Sequence, residues 1–159
     1  MNTPKYPRAF SHIGITVPDI KKAVEFYEEV MGWYIIMPPS TVKKERETAI
    51  GQMCIDVFGE HWDTFEIAHM STSDGIGVEL FSFPHGVKEA PEFTPFNTGL
   101  FHFCVQDPNI EALTNKIVAN GGKQRMPIRE YYPTKNLLKW FMLKILLELY
   151  SKFTLTVTN

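Results

Sequence analysis

Between residues 9 and 17 the chain alternates with a period of two. Ile13, Ile15 and Val17 share one face and His12, Gly14 and Thr16 the other, as in a half-buried strand. Pro18-Asp19 breaks the pattern, and Asp19 suits the N-cap of a following helix. From Ile20 the apolar spacing lengthens to that of a helix face: Ile20, Ala23, Val24, Tyr27 and Met31, with Gly32 suited to the C′ position. The runs "WYIIM", "MCIDVFG", "TFEIAHM" and "GVELFSF" then read as short strands between turn-forming or polar residues. Residues 38–50, "PPSTVKKERETAI", read as a charged surface loop, and the proline-rich 84–98 as a linker between two halves.

Beyond that linker the pattern restarts. In "GLFHFCVQDPNI", Phe101, Phe103 and Val105 form one face and His102, Cys104 and Gln106 the other. Pro108 follows His102 by six residues, as Pro18 follows His12. A second amphipathic helix (Ile110, Leu113, Ile117) runs to about Ala119 and stops at Gly121-Gly122. Self-similarity at a fixed offset marks a duplicated unit, here strand–helix–strands. The expectation is an α+β chain forming a single domain over 1–159. Its first module spans 8–84, its linker 85–98 and its second module 99–159. In each copy the apolar face packs under the helix while the histidine's face is small and polar. Two curved sheets with polar inner faces then enclose a cavity into which His12 and His102 both point as a ligand pair; the alternative is that each is a satisfied core histidine.

Composition narrows the setting. A chain of 159 residues with net charge −2 and interspersed charges gives no electrostatic reason to expect nucleic acid or an anionic membrane as partner. "MNTPKYPR" lacks the apolar region of a secretory signal, and Cys54 and Cys104 do not make a disulfide framework, so a cytoplasmic location is expected. The most apolar segment, Leu137 to Tyr150, is too short to span a bilayer and carries Lys139, Lys144 and Glu148. There is no Gly-rich phosphate loop, nucleophile elbow or CxxC pair.

The remaining chemistry is that of a metal centre. Imidazole-bound metals need further donors, commonly carboxylates. Glu79, in "GIGVELFSF", is an acid within an apolar strand, costly there unless paired or metal-bound; the alternative is a rim position on an edge strand. Glu148, in "LLELYS", invites the same reading. His61 and His85 sit in turn-like, solvent-facing contexts. His69 shares a face with Phe65 and Ile67, which favours packing, and Trp33 and Tyr34 are expected to help a sheet pack.

"FSHIGITVPDIKKAVEFYEEVMGW", "GVELF" and "GLFHFCVQDPNIEALTNKIVANGGK" resemble the vicinal oxygen chelate superfamily. That group includes glyoxalase I, extradiol dioxygenases, methylmalonyl-CoA epimerase and bleomycin- or fosfomycin-resistance proteins. The resemblance covers residues 8–133 and implies two βαβββ modules closing a metal cavity, often with modules exchanged within a homodimer. Carried over by position, it makes His12, Glu79 and His102 metal ligands, with Glu148 the local substitute for a fourth. It implies a divalent-metal-dependent lyase or isomerase similar to glyoxalase I, acting on a small molecule with adjacent oxygens. Zinc or nickel would stabilise an enediolate while Glu79, or the terminal Glu148, moves a proton. The alternatives are an extradiol-type Fe(II) dioxygenase, needing two His and one carboxylate, and a non-catalytic small-molecule-binding protein.

The tail departs from the family. Residues 134–159 contain no Gly, Pro or Asp over 26 positions, so no tight turn is written there. They read like a family tail one base out of frame. "DEKPFKMVYVEDPFG", back-translated with suitable codons and stripped of its first base, gives TKNLLKWFMLKILL, and "EIYSHSYE" treated likewise gives KFTLTVTN. On that reading the ancestral ligand Glu aligned with Lys152, and Glu148 resembles it by accident. Sequencing the gene and its relatives checks this. The expected result is a frame disruption near codon 134; an undisturbed frame shared by relatives with the same ending refutes it.

Overall fold

The computed structural model describes residues 6–84, 102–124, 126–130, 139–144 and 154–158. The first half contains β1 (His12–Thr16), α1 (Ile20–Glu29), β2 (Tyr34–Lys43), α2 (Ala49–Phe58), β3 (Thr64–Ser71) and β4 (Gly77–Ser82). The second contains β5 (His102–Gln106), α3 (Ile110–Ala119), β6 (Lys123–Gln124), β7 (Arg129–Glu130), β8 (Lys139–Lys144) and β9 (Thr154–Thr158). One sheet has the order β1-β4-β3-β2, the other β5-β9-β8-β6 with β7 also on β8. β1 runs parallel to β4 and β5 parallel to β9, while the other pairs are antiparallel. The shared connectivity is the structural form of the repeated pattern, and the architecture is α+β.

Both expected helices form where their caps place them. The Asp19 carboxylate accepts from the Lys22 amide at 3.1 Å, a bond that holds its pKa below the ordinary value. Asn109 does the same for α3 through the Ala112 amide, also at 3.1 Å. Ile20, Ala23, Val24 and Tyr27 bury against Ile15, Val17, Ala68, Met70, Val78 and Leu80 of the first sheet. The same cluster includes Ile110, Leu113 and Ile117 of α3, with Phe103 and Val105 packed on it, so one core spans the two halves. Trp33 stacks on Tyr27 at 4.6 Å and 5° and reaches Phe103 at 6.5 Å. Burial in this cluster pushes the Tyr27 phenol well above its ordinary pKa. Tyr34, expected to pack, is exposed instead.

Two expectations fail between residues 38 and 59. "MCIDVFG" is not a strand: Ala49–Phe58 is helical, capped by Thr48, whose hydroxyl accepts from the Gly51 amide at 3.0 Å. A short apolar run does not distinguish strand from buried helix, and here a local cap and Gly59 at φ 76° decide. Nor is 38–50 a loop throughout, since β2 runs to Lys43 as an edge strand. Pro38-Pro39 falls where the β2–β3 register shifts between Met37 and Ser40, the place where a strand tolerates lost donors. Residues 85–98, the expected linker, lie outside the described residues, as does His85. In the tail, β8 and β9 pair, so parts of 134–159 do form strands.

The excursion carrying α2 is clipped at its base. The Lys44 amide donates to the Asp63 carbonyl at 2.9 Å. Lys44 Nζ lies 2.6 Å from the Glu60 carboxylate, which Arg46 also grips with two bonds of 2.9 and 2.6 Å. These cations hold the Glu60 carboxyl down at about 2. A depressed carboxylate pKa stabilises the fold above the unfolded value, and that contribution is lost as pH falls toward the folded value. The urea midpoint of wild type should therefore exceed that of Glu60→Gln at neutral pH. The gap should close as pH falls from about 4.5 to about 2, and shrink with salt because the pair is exposed.

Candidate metal centre

β4 lies between β1 and β3, so Glu79 is on an inner strand and not at a sheet edge. Its burial alternates with its neighbours': Val78 and Leu80 point into the core under α1, and Glu79 points to the opposite face. On that face β1 contributes His12 and Gly14, and β3 contributes His69, directly opposite Glu79 in the register. Glu79 Oε2 lies 3.8 Å from His12 Nε2, and Oε1 lies 3.7 Å from His69 Nε2. Both separations exceed a hydrogen bond, so the carboxylate stands between two imidazoles, one facing each oxygen. The side chains of His12, His69 and Glu79 are 54, 38 and 30% exposed. Ser11 Oγ engages His12 Nδ1 at 3.2 Å and leaves Nε2 turned toward Glu79.

Glycine makes this approach possible. Gly77 is the register partner of His12, and a Cβ there would lie 2.9 Å from the His12 Cβ. At Gly14 a Cβ would meet the Phe81 ring at 3.3 Å. Phe81 belongs to an aromatic group with Phe58, Phe65 and Phe83, over which α2 places Cys54 and Ile55. The helix absent from the sequence reading thus closes one end of the face that carries Glu79. Burial there pushes the Cys54 thiol up, away from nucleophilic use. A separate open cleft of about 510 Å³, lined by Phe58, His61, Trp62 and Phe83, contains none of the three site residues. His61 is exposed, as expected.

His102 opens β5 as His12 opens β1, and it too is exposed. Matching the two sheets register by register, the pair Gly14–Glu79 corresponds to Cys104–Thr156. The second half therefore offers threonine where the first offers its carboxylate. Glu148 and Lys152 lie outside the described residues. Among the described residues, no three or more His, Cys, Asp or Glu side chains are grouped so as to hold an ion. The donor chemistry of His12 and Glu79 suits a divalent metal.

His69 is the residue that sequence reasoning set aside. A signal for it existed in the tight turn after Ser71, where the Thr72 amide donates to the Ile76 carbonyl at 2.9 Å. That turn pairs Ser71 with Gly77, and counting back two residues on each strand puts His69 opposite Glu79.

A profile of the Glyoxalase/Bleomycin resistance protein/Dioxygenase superfamily matches residues 9–137. The chain belongs to this superfamily. Among solved structures of superfamily type, a glyoxalase family protein from Bacillus cereus superposes with TM-score 0.73 at 20% identity, over 99% of this chain and 97% of that one. A glyoxalase/dioxygenase from Nostoc punctiforme gives 0.63 at 15% over 99 and 97%. The fosfomycin resistance protein FosX from Listeria monocytogenes gives 0.56 at 12% over 97 and 92%. At these identities the likeness establishes the fold. No curated protein matches the chain significantly. The superfamily's scaffold here depends on the bare backbone at position 77. Gly77→Ala should force β1 away from β4, shift the His12 ring resonances in NMR spectra and cost about 1–3 kcal/mol in urea unfolding.

Proposed function

We propose that the chain is a divalent-metal-dependent lyase or isomerase of the glyoxalase type, moving a proton between neighbouring carbons of a small substrate with adjacent oxygens. The observation that carries this is the facing of His12 Nε2 and the Glu79 carboxylate on adjacent inner-face strands, made possible by Gly77. His12, Glu79 and His102 would hold the ion, zinc or nickel, with Glu148 as a fourth donor. In this reading a second copy of the chain completes the site in a homodimer. When bound, a divalent ion supplies Lewis acidity toward paired oxygens. A FosX variant was solved with Mn(II) and 1S,2S-dihydroxypropylphosphonic acid, a ligand with adjacent hydroxyls, which supports that chemistry for this fold.

The chain's own residues supply the rest. Glu79 is half-shielded and has apolar Phe81 and Ile67 beside it on the face, so its carboxylate is placed to take and return a proton with limited access of water. Ser11 fixes the His12 ring from its far nitrogen.

The alternative, an Fe(II) dioxygenase, would need two His and one carboxylate, His12, His102 and a terminal Glu, and would leave Glu79 superfluous. Metal analysis of the purified, reconstituted protein tests both. Near-stoichiometric metal is expected, with Glu79→Gln lowering affinity by at least about 100-fold under the lyase reading and leaving it nearly intact under the dioxygenase reading. Oxygen uptake with a catechol after Fe(II) loading would select the dioxygenase. Absence of stoichiometric metal after reconstitution would remove both readings and leave a binding role.

A further inference from the structure

We infer that His69 is a positioning residue for Glu79, its Nε2–H holding Oε1 so that Oε2 is presented toward His12; this rests on the reading of Glu79 as a metal ligand. The two residues are direct register partners on the inner strands β3 and β4, where the backbone is held on both sides. His69 Nε2 is shut off from solvent and has no hydrogen-bond partner. A native polar atom left in that condition needs a reason. On the β2 side the register neighbour of His69 is Met37, whose thioether is at best a weak acceptor. On the β4 side it is Glu79, whose Oε1 stands 3.7 Å away. A movement of under about 1 Å brings that pair to hydrogen-bond length.

The geometry separates the two oxygens of one carboxylate between two rings. If Oε1 is anchored by His69, rotation about the carboxylate's bond is stopped and Oε2 is left facing His12 Nε2, now 3.8 Å away. An unanchored glutamate would spend part of its time turned from His12, and each ion captured would bear the cost of ordering it. Packing alone does not account for the arrangement. Phe65 and Ile67, on the same strand face, lie in the aromatic cluster under α2, whereas His69 directs its shielded nitrogen at the carboxylate.

The test uses the whole metal-free chain and has two arms. In long-range ¹H–¹⁵N spectra at pH 8.5, His69 should be the neutral Nε2–H tautomer; an Nδ1–H tautomer overturns the inference, and this arm requires neither metal nor variant. In Zn(II) titrations against a competing chelator, His69→Leu should bind about 10–100-fold more weakly than wild type. His69→Gln, whose amide N–H can stand near the lost Nε2–H, should recover most of that loss. Equal affinity of wild type and His69→Leu, with Glu79→Gln impaired, would sink the positioning role and leave the metal reading intact. If wild type binds no zinc, the metal reading fails, and the tautomer still decides whether His69 holds Glu79.

Discussion

The parallel contact between β1 and β4 is the constraint on which the rest depends. Parallel neighbours cannot be joined by a hairpin, so the chain must leave β1, cross the sheet and return. The crossover is where α1 lies, and its stripe of Ile20, Ala23, Val24 and Tyr27 buries one face of the sheet. That burial reserves the other face for His12, His69 and Glu79. The two faces are thus set by one alternation: Leu80 is buried because its neighbour Glu79 is not. At the crowded point of contact only glycine fits beside His12, and Gly77 occupies it.

What could be read from residue order follows from which signals are local. β1, α1, β5 and α3 were legible because each carries its own punctuation, a Pro break and an Asp or Asn cap, together with a clean period. His12 and Glu79, which the structure brings face to face, stood out as candidates because a polar residue on a strand's small face, or within an apolar strand, is chemically out of place. α2 was not legible as a helix. Its run exposes Ile50, Met53 and Val57 and buries only Gly51, Cys54 and Ile55, so its apolar residues surround the helix and blur the period. His69 was missed for a different reason: its meaning comes from the strand it faces, and its own strand neighbours Phe65 and Ile67 point to packing.

α2 also shows how the same architecture is tuned locally. The excursion from Lys44 to Asp63 is closed by backbone and charge at its base, so the helix it carries has a fixed seat on Phe65, Phe81 and Phe83. Aromatic side chains bury large areas and interlock edge to face, as Phe58 does with Phe65, Phe81 and Phe83. The result is an apolar wall two residues along β4 from Glu79. A carboxylate beside such a wall meets less water than one on an open sheet, which strengthens every electrostatic interaction it makes.

The two halves share the order of their main strands, while the first adds α2 and the second adds β7. Both sheets return a parallel strand beside the one that opens with histidine, and Phe103 and Val105 of β5 pack on the same core as α1 and α3. The first half adds a carboxylate, a second imidazole and an aromatic wall to its histidine. In the second half the backbone register puts position 156 beside Cys104, as in the first it puts Glu79 beside Gly14. A divalent ion is stabilised by anionic donors above all, and among the described residues Glu79 is the carboxylate that faces His12. The geometry around this carboxylate, with Gly77 packed against His12 beside it and His69 opposite, is set by the register of β4 against its two neighbours.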